Sequence, residues 1–485
     1  MPTLQFIFGF IIILGYASAI ALIPRVVLAR RESAATLSWL MFLLFVPVLG
    51  PIAYWLFGER RLKRFVRKRR FLGQTLLQSR GVERGRASFE PNPGLDARDR
   101  DTIIITTKLA DVPPSAGNEI KVFIDANEAS EAMLRAIDDA KNHIHFVVYI
   151  FRPDESGVVF RDHLVAAAKR GVKVKLLIDG AGSLLTKRSF FQSLTAAGGE
   201  LAVFLPVNIF RGLYHANLRN HRKILIIDGA TAFTGGLNVG DEYGSSGIRK
   251  KRQRKFGPWR DSHLQLRGPA VAALQDVFAE DWYFTTEREI DAASAYPELL
   301  TAGDSFVHVL PSGPDLDWEV IHHAIFTIIT KATDHIFLTT PYFVPDRSML
   351  VALATAALRG VDVRLLLPGQ SDLALVQAAG RYHYSELLRA GVRIYEYQKG
   401  ILHAKTVAVD NRWATIGSAN LDLRSFRINF ELNVVVYGSA CATGLHETFI
   451  KDLDDSVEIT KEEVAHWTFG EKLKNASARL VEGVL

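Results

Sequence analysis

Two apolar runs open the chain. No charged side chain occurs in residues 1–24, and residues 4–22 are almost continuously apolar. A second uncharged run covers 33–58. As a helix, either run is long enough for the roughly 30 Å hydrocarbon core of a bilayer, which takes about 20 residues. The pattern predicts a transmembrane hairpin with spans near 4–24 and 35–57. Pro47 and Pro51 kink the second or make it shallow. Ala17-Ser18-Ala19 imitates a signal-peptide cleavage site, but the first run lacks a basic leading segment and a second apolar run follows it, which argues against removal.

Residues 71–114 mix charges with Glu90-Pro91-Asn92-Pro93-Gly94 and Pro113-Pro114, and read as a connector. Beyond them, strand-like apolar runs alternate with helix-like segments, which predicts an α/β architecture. That region repeats itself. His143-Ile144-His145-Phe146-Val147-Val148-Tyr149-Ile150-Phe151-Arg152-Pro153-Asp154 reads against His335-Ile336-Phe337-Leu338-Thr339-Thr340-Pro341-Tyr342-Phe343-Val344-Pro345-Asp346. Further on, Ala168-Lys169-Arg170-Gly171-Val172 reads against Ala357-Leu358-Arg359-Gly360-Val361, where a helix closes at glycine and a strand begins. Two blocks in the same order predict a duplicated fold, each half a sheet flanked by helices, with the functional site at the seam. The expected units are 1–58, a transmembrane hairpin; 59–115, a basic juxtamembrane segment and linker; 116–300, the first half; and 301–485, the second half with a C-terminal tail.

Composition changes this picture little. Of the 485 residues 48% are apolar and 23% charged, as in a folded chain of several units. The single cysteine, Cys441, rules out an internal disulfide and thiolate metal clusters. The net charge of +6 matters through its placement. Arg60, Arg61, Lys63, Arg64, Arg67, Lys68, Arg69 and Arg70 crowd the end of the second apolar run. The connection between the runs has only Arg25, Arg30 and Arg31, partly offset by Glu32. The bias puts the C-terminal bulk in the cytoplasm, and the same cluster suits anionic headgroups.

A third repeated block carries the chemistry. His221-Arg222-Lys223 runs through Ile and Leu to Asp228 and then Gly235-Gly236-Leu237-Asn238. His403-Ala404-Lys405 runs to Asp410 and then Gly417-Ser418-Ala419-Asn420. Histidine and lysine two apart on a strand share a face, so each half offers one imidazole and one ammonium to a common pocket. A lone His-x-Lys says little, but two copies with equal internal spacing inside a repeat say a great deal. Phosphodiester exchange needs such a set. One neutral imidazole attacks phosphorus, and the other, protonated, serves the leaving alkoxide and then the incoming alcohol. Lys223, Lys405, Asn238 and Asn420 are candidates to hold the non-bridging oxygens. Ser418 offers a hydroxyl where the first half has Gly236, so the phosphate contacts are expected to be asymmetric. Asp228 and Asp410 are candidates for the catalytic set, and more readily for closing the turns after their strands. Glu431 and Asp261 are the candidates to orient the imidazoles. No metal and no cofactor is called for.

At these residues the chain resembles the phospholipase D superfamily, whose hallmark is this doubled motif. Residues 35–39 and 47–51 of the apolar pair, Thr340-Pro341-Tyr342-Phe343-Val344-Pro345-Asp346, and Tyr395-Glu396-Tyr397 leading into His403 make it similar to the bacterial cardiolipin synthase branch. The resemblance implies a duplicated phospholipase D-type fold whose two halves share one active site behind the hairpin, in the bacterial inner membrane. It implies transfer of a phosphatidyl group between two phosphatidylglycerol molecules, with glycerol released. It also makes His221 the nucleophile and His403 the general acid and base. Hydrolysis by water, or cleavage of a nucleic-acid phosphodiester, would use the same residues. The membrane spans and the lack of an aromatic-interleaved basic groove favour phospholipid over nucleic acid as partner. Phosphatidylethanolamine stays open as donor.

Four further features suggest roles without fixing them. They are the basic loop of Arg249, Lys250, Lys251, Arg252, Arg254 and Lys255; the apolar stretch 204–214; Tyr149 and Tyr342 at repeated strand ends; and the amphipathic tail 467–485, which fits either lipid or the protein's own surface.

Overall fold

The computed structural model describes residues 2–29, 33–57, 69, 97–207, 218–243, 259–298, 300–480 and 482. The chain divides into two compact units, one of Met1–Lys68 with Val207–Asn217 and one of Arg69–Pro206 with Leu218–Leu485.

In the first unit, helix Pro2–Leu28 is apolar on all sides. Its segment Gln5–Leu28 is 24 residues long, roughly 36 Å of helix, and reaches a mean hydropathy of 2.5 over an 18-residue stretch, which is enough to cross a bilayer. The second apolar run is not one span. It breaks at residues 46–48 into helices Ser33–Phe45 and Leu49–Phe57. Pro47 lies in this break, where a proline disrupts helical hydrogen bonding. Neither piece alone reaches across the hydrocarbon core, and the run is a kinked segment broken at Pro47. The first helix packs on it through Ala19, Val26, Leu43 and Tyr54. A side chain at Gly15 would run into the Pro47 carbonyl, 2.7 Å from where its Cβ would stand.

The second unit holds a 15-stranded sheet in which the duplication is explicit. From the centre outward, the first half runs Ser115–Phe123, His263–Arg267, Thr231–Gly235, Ile224–Ile227, His143–Val148, Lys173–Asp179, Glu200–Phe204. The second half runs Ser305–Ser312, Glu431–Tyr437, Trp413–Gly417, Thr406–Val409, His335–Thr339, Asp362–Pro368, Arg393–Tyr397, with Ser456–Ile459 added at the edge. The halves join where Ser115–Phe123 pairs antiparallel with Ser305–Ser312.

The repeated blocks have the local structure their residues dictate. Asp154 and Asp346, the last residues of the first block, cap the helices Glu155–Lys169 and Arg347–Leu358 by accepting from the Gly157 and Met349 amides at 3.0 Å. Gly171 and Gly360 end those helices at φ of +93° and +94°, a conformation that strains any residue with a Cβ.

The connector reading fails at its C-terminal end. Residues Ala97–Ala110 form a helix. Ile103 and Ala110 join the apolar core of the second half beside Ile325 and Ile329, and Asp99 pairs with Arg412 at 2.8 Å. The charged N-terminal turn hid an apolar face of Ile103, Thr106 and Ala110. The basic cluster after the second apolar run and residues 71–96 lie outside the described residues, Arg69 excepted.

Candidate active site

Both histidine motifs sit immediately before a strand, not within it. His221 precedes Ile224–Ile227 and His403 precedes Thr406–Val409. Each is held by the opposite half. The His221 amide donates to the Phe430 carbonyl, and the His403 amide to the Arg260 carbonyl, both at 2.8 Å. Ile401 and Leu402 pair in parallel with Trp259 and Arg260. These exchanged backbone contacts put each imidazole beside the carboxylate of the other half. Glu431 Oε2 accepts from His221 Nδ1 at 3.0 Å, and Asp261 Oδ2 from His403 Nδ1 at 2.6 Å. Asp261 and Glu431 occupy equivalent places, two residues before His263 and Asn433, which pair with Gly235 and Gly417.

Both imidazoles line one cavity of about 260 Å³. Tyr149 and Tyr342, the repeated strand-end tyrosines, stand in its wall. The Tyr149 ring meets His221 edge-on at 4.8 Å and that of Tyr342 meets His403 at 6.4 Å. Asn238 and Asn420 line it too. The Asn238 amide is committed to the protein, donating to the Tyr243 hydroxyl at 2.8 Å and accepting from the Ile150 amide at 3.1 Å. The buried Asn420 Oδ1 has no partner among the described residues.

The lysines stand behind the imidazoles. Lys223 and Lys405 are buried, and each ammonium donates to the carbonyl of its own histidine, at 2.7 Å and 2.5 Å. Neither is among the residues lining the cavity. Burial lowers both, Lys223 to about 7 and Lys405 to about 8, against the pull of Glu431 and Asp261. Burial also lowers His221 to about 4, so its imidazole is neutral near pH 7, and it lowers His403, to which Lys405 adds. Burial works to raise Glu431 and Asp261. For Glu431 the charges of His221 and Lys223 outweigh it, for Asp261 those of His403 and Lys405, and both carboxyls end below their ordinary range.

Two expectations are corrected. Asp228 and Asp410 stand a full strand beyond their histidines, roughly 20 Å along extended chain. Each takes φ near +50° and accepts backbone amides, at 141–143 and at 333–335 respectively. They close turns and do not reach the cavity. Ser418 does not face substrate either. Its buried hydroxyl donates to Glu431 Oε2 at 2.5 Å and accepts from the Leu432 amide at 2.9 Å. The asymmetry with Gly236 has a steric cause, since a Cβ there would stand 2.0 Å from Asp261 Oδ1.

Sequence reasoning missed several wall residues. Trp259 and Tyr243 pack round His403, with ring centroids at 5.1 and 5.7 Å. Asp372 accepts from the Tyr342 hydroxyl at 2.9 Å. Of these only Trp259 carried a signal, lying two residues before Asp261. The apolar stretch 204–214 is described only to residue 207, with Phe204 buried, and the basic loop 249–255 lies outside the described residues.

Behind the site, Asp281 gathers charges at the segment that carries His221. It pairs with Arg222 at 2.8 Å, accepts from Asn220 Nδ2 at 2.7 Å and is paired closely with Arg69. Arg69 also bonds Asp315 at 2.9 Å and lies over the Phe430 ring. One member of the basic cluster assigned to headgroups is therefore a buried structural cation.

The sheet order, the doubled motif and the shared cavity define a duplicated phospholipase D-like fold. Residues 133–245 and 325–453 match the model of the cardiolipin synthase PLD-like domain, and residues 17–59 that of the phospholipase D-nuclease N-terminal region. The chain is 37% identical to the major cardiolipin synthase ClsA of Bacillus subtilis over 462 residues, 94% of this chain and 95% of that one. It is 37% identical to the cardiolipin synthase of Alkalihalophilus pseudofirmus over 468 residues, covering 94% and 90%. It is 40% identical to cardiolipin synthase 2 of Bacillus cereus over 437 residues, covering 89% and 83%. Among solved structures, phosphatidylserine synthase of Haemophilus influenzae has the same fold, with TM-score 0.59 at 16% identity over 79% of this chain and 100% of that one. The chain belongs to the cardiolipin synthase family of phospholipase D-like proteins.

Proposed function

We propose that the chain transfers a phosphatidyl group from one phosphatidylglycerol to the terminal hydroxyl of a second, giving cardiolipin and glycerol. The observation that carries the reading is the single cavity in which two imidazoles each present Nε2 while Nδ1 is held by a carboxylate. Glu431 keeps the proton of His221 on Nδ1, which leaves the Nε2 lone pair for attack on phosphorus. The bond from phosphorus to the glycerol oxygen breaks, His403 Nε2 gives its proton to that oxygen, and the phosphatidyl group rests on His221. The hydroxyl of the second lipid then loses its proton to His403 and attacks phosphorus, and His221 leaves. Asp261 stabilises the imidazolium that His403 must pass through, and the phosphodiester anion favours the same charged form. The Asn420 side-chain amide can donate to a non-bridging oxygen through Nδ2, and the two buried ammonium groups add positive charge from behind the imidazoles. Purified full-length protein given phosphatidylglycerol in detergent should release cardiolipin and glycerol in equal amounts. Phosphatidic acid as the product would make the protein a hydrolase, and no product at all would overturn the lipid reading.

The lysines predict a pH dependence. A bound phosphodiester stabilises their charged forms and raises their pKa values above about 7 and 8. Binding above neutrality therefore takes up protons, and affinity falls as pH rises through that window. Binding of short-chain phosphatidylglycerol to the His221→Ala variant should weaken by up to about a hundredfold per pH unit where both lysines are neutral in the free site and charged in the complex, and by up to about tenfold if only one is coupled. An affinity flat from pH 6 to 9 counts against the lysines as the phosphate's counter-charges.

For localisation, both apolar N-terminal segments would enter the inner membrane, with the catalytic halves on the cytoplasmic side. The support is the uncharged run of residues 1–24 and the basic excess of residues 60–70. A cysteine placed at the exposed Lys169 in a Cys441→Ala background should react with an impermeant maleimide only in inside-out vesicles. Labelling of intact spheroplasts would reverse the topology.

A further inference from the structure

A second cavity of the catalytic unit is larger than the active-site cavity. It measures about 460 Å³ and lies between the helices Ala374–Arg381 and Tyr384–Ala390 on one side and Lys461–Ala465 and Phe469–Arg479 on the other. Leu388, Val464 and Trp467 give it an apolar floor, and Arg381, Arg389, Lys461 and Lys472 stand round it. No carboxylate lines it among the described residues. Glu396 neutralises Arg381 through two bonds of 2.9 and 2.6 Å. Arg389 donates to the Ser385 carbonyl and Lys472 to the Ala465 carbonyl, and neither is paired with a carboxylate among the described residues.

The C-terminal helix adds a second observation. Its residues Lys472 and Asn475 face the cavity, and Ala478 packs on Val376 and Ala379. At 100° per residue, Phe469, Leu473 and Leu480 fall together on an arc of about 40° beside Lys472. They are 79%, 54% and 84% exposed. An apolar stripe held in water next to an apolar cavity with cations at its edge matches one chemistry, a lipid with an anionic head. The neighbouring helix links this place to the reaction. Leu373 and Val376 line the active-site cavity, while Arg381, roughly 8 Å further along the same helix, lines this one.

We propose that this cavity holds one anionic phospholipid that is not the reacting one. The phosphate lies on Arg389, Lys461 and Lys472, an acyl chain runs over Leu388, Val464 and Trp467, and the stripe of Phe469, Leu473 and Leu480 rests in the lipid surface. The site docks the catalytic unit on anionic membrane beside the mouth of the active site. It takes lipid whether or not the protein turns that lipid over.

The test is photolabelling of the full chain in mixed micelles with phosphatidylglycerol carrying a diazirine in one acyl chain, mapped by peptide mass. Label is expected in peptides spanning 382–389 and 461–473, separately from any label near His221 and His403. Lys461→Glu with Lys472→Glu should cut it by about tenfold or more, with active-site label unchanged. Phe469→Asp with Leu473→Asp, at exposed positions, should reduce it too and raise the surface KM with kcat unaltered. Label confined to the active-site peptides overturns the proposal. So does equal labelling by the phosphatidylcholine analogue, or full displacement by excess glycerol phosphate, which would make the site one for the headgroup alone. The labelling needs no turnover, so a protein that makes no cardiolipin but labels here would refute the proposed reaction and leave this site standing.

Discussion

His221→Ala abolishes the covalent intermediate with every donor and lowers transfer by at least about 10⁴-fold, whereas His403→Ala spares the first step when the leaving group is good. The two histidines are alike in their position before a strand and in their carboxylate partners, and differ little in exposure, with side chains 12% and 7% accessible, so their inequality has to come from the chemistry. A nucleophile cannot be replaced by a better leaving group, because without it no bond to phosphorus forms. A general acid contributes about 10²–10⁴-fold by protonating the departing oxygen, and a donor with a nitrophenol-like leaving group does not need that proton. With such a donor, His403→Ala should accumulate phosphohistidine on His221, since attack of the second alcohol on phosphorus still lacks its base. Acid-quenched protein, digested under conditions that preserve phosphohistidine, identifies the residue. An adduct on His403 and none on His221 would exchange the roles and leave the reaction class intact. The carboxylates carry a crossed corollary. Asp261→Asn, though it belongs to the first half, should reproduce the His403 defect, and Glu431→Gln, from the second half, the His221 defect. The reverse pattern would contradict the exchanged contacts.

This crossing marks the limit of what the sequence could deliver. The doubled motif, the repeat and the helix stops at Gly171 and Gly360 are local patterns, and each was legible because its cause lies within a few residues. Asp261 and Glu431 could be picked out by equivalent position, but their pairing depends on two short backbone exchanges, at Asn220 with Phe430 and at Leu402 with Arg260, between segments far apart in the chain. No periodicity encodes that. The motif aspartates misled for a simple reason. Constant spacing from a catalytic histidine looks functional, yet in a strand it also measures the distance to the far turn, and Asp228 and Asp410 sit there. Ser418 misled because a hydroxyl near phosphate chemistry invites a substrate role, whereas its bond to Glu431 is a contact between strands. Arg69 is the opposite case. Its neighbours in sequence are basic and read as one surface cluster, and only burial against Asp281 and Asp315 separates it from them.

Asp281→Ala should cost the protein about 3–5 kcal/mol of stability and most of its activity, because it strands the buried Arg222 and takes from Arg69 one of its two carboxylates. Arg222 lies between His221 and Lys223. Its guanidinium reaches Asp281 at 2.8 Å and the Glu431 carbonyl at 3.1 Å, so one side chain ties the nucleophile's segment to the strand of its orienting carboxylate. Burial works to raise the Asp281 carboxyl, and Arg222 and Arg69 more than offset it, so the group is ionised and carries a full charge in the interior. Removing that charge leaves Arg222 unpaired, frees Asn220 and lets the imidazole lose its alignment with Glu431. Arg69→Met should cost less, since Asp281 keeps Arg222 and Asn220. If the three groups form one network, the loss in Arg69→Met/Asp281→Ala will be smaller than the sum of the single losses by about 1 kcal/mol or more, because the Arg69–Asp281 pair is then lost only once. Denaturant unfolding of full-length protein in detergent measures the sum, and phosphohistidine yield measures the alignment. Additive losses, or an Asp281→Ala protein that forms the intermediate at the normal rate, would reduce the cluster to ordinary packing with no hold on His221.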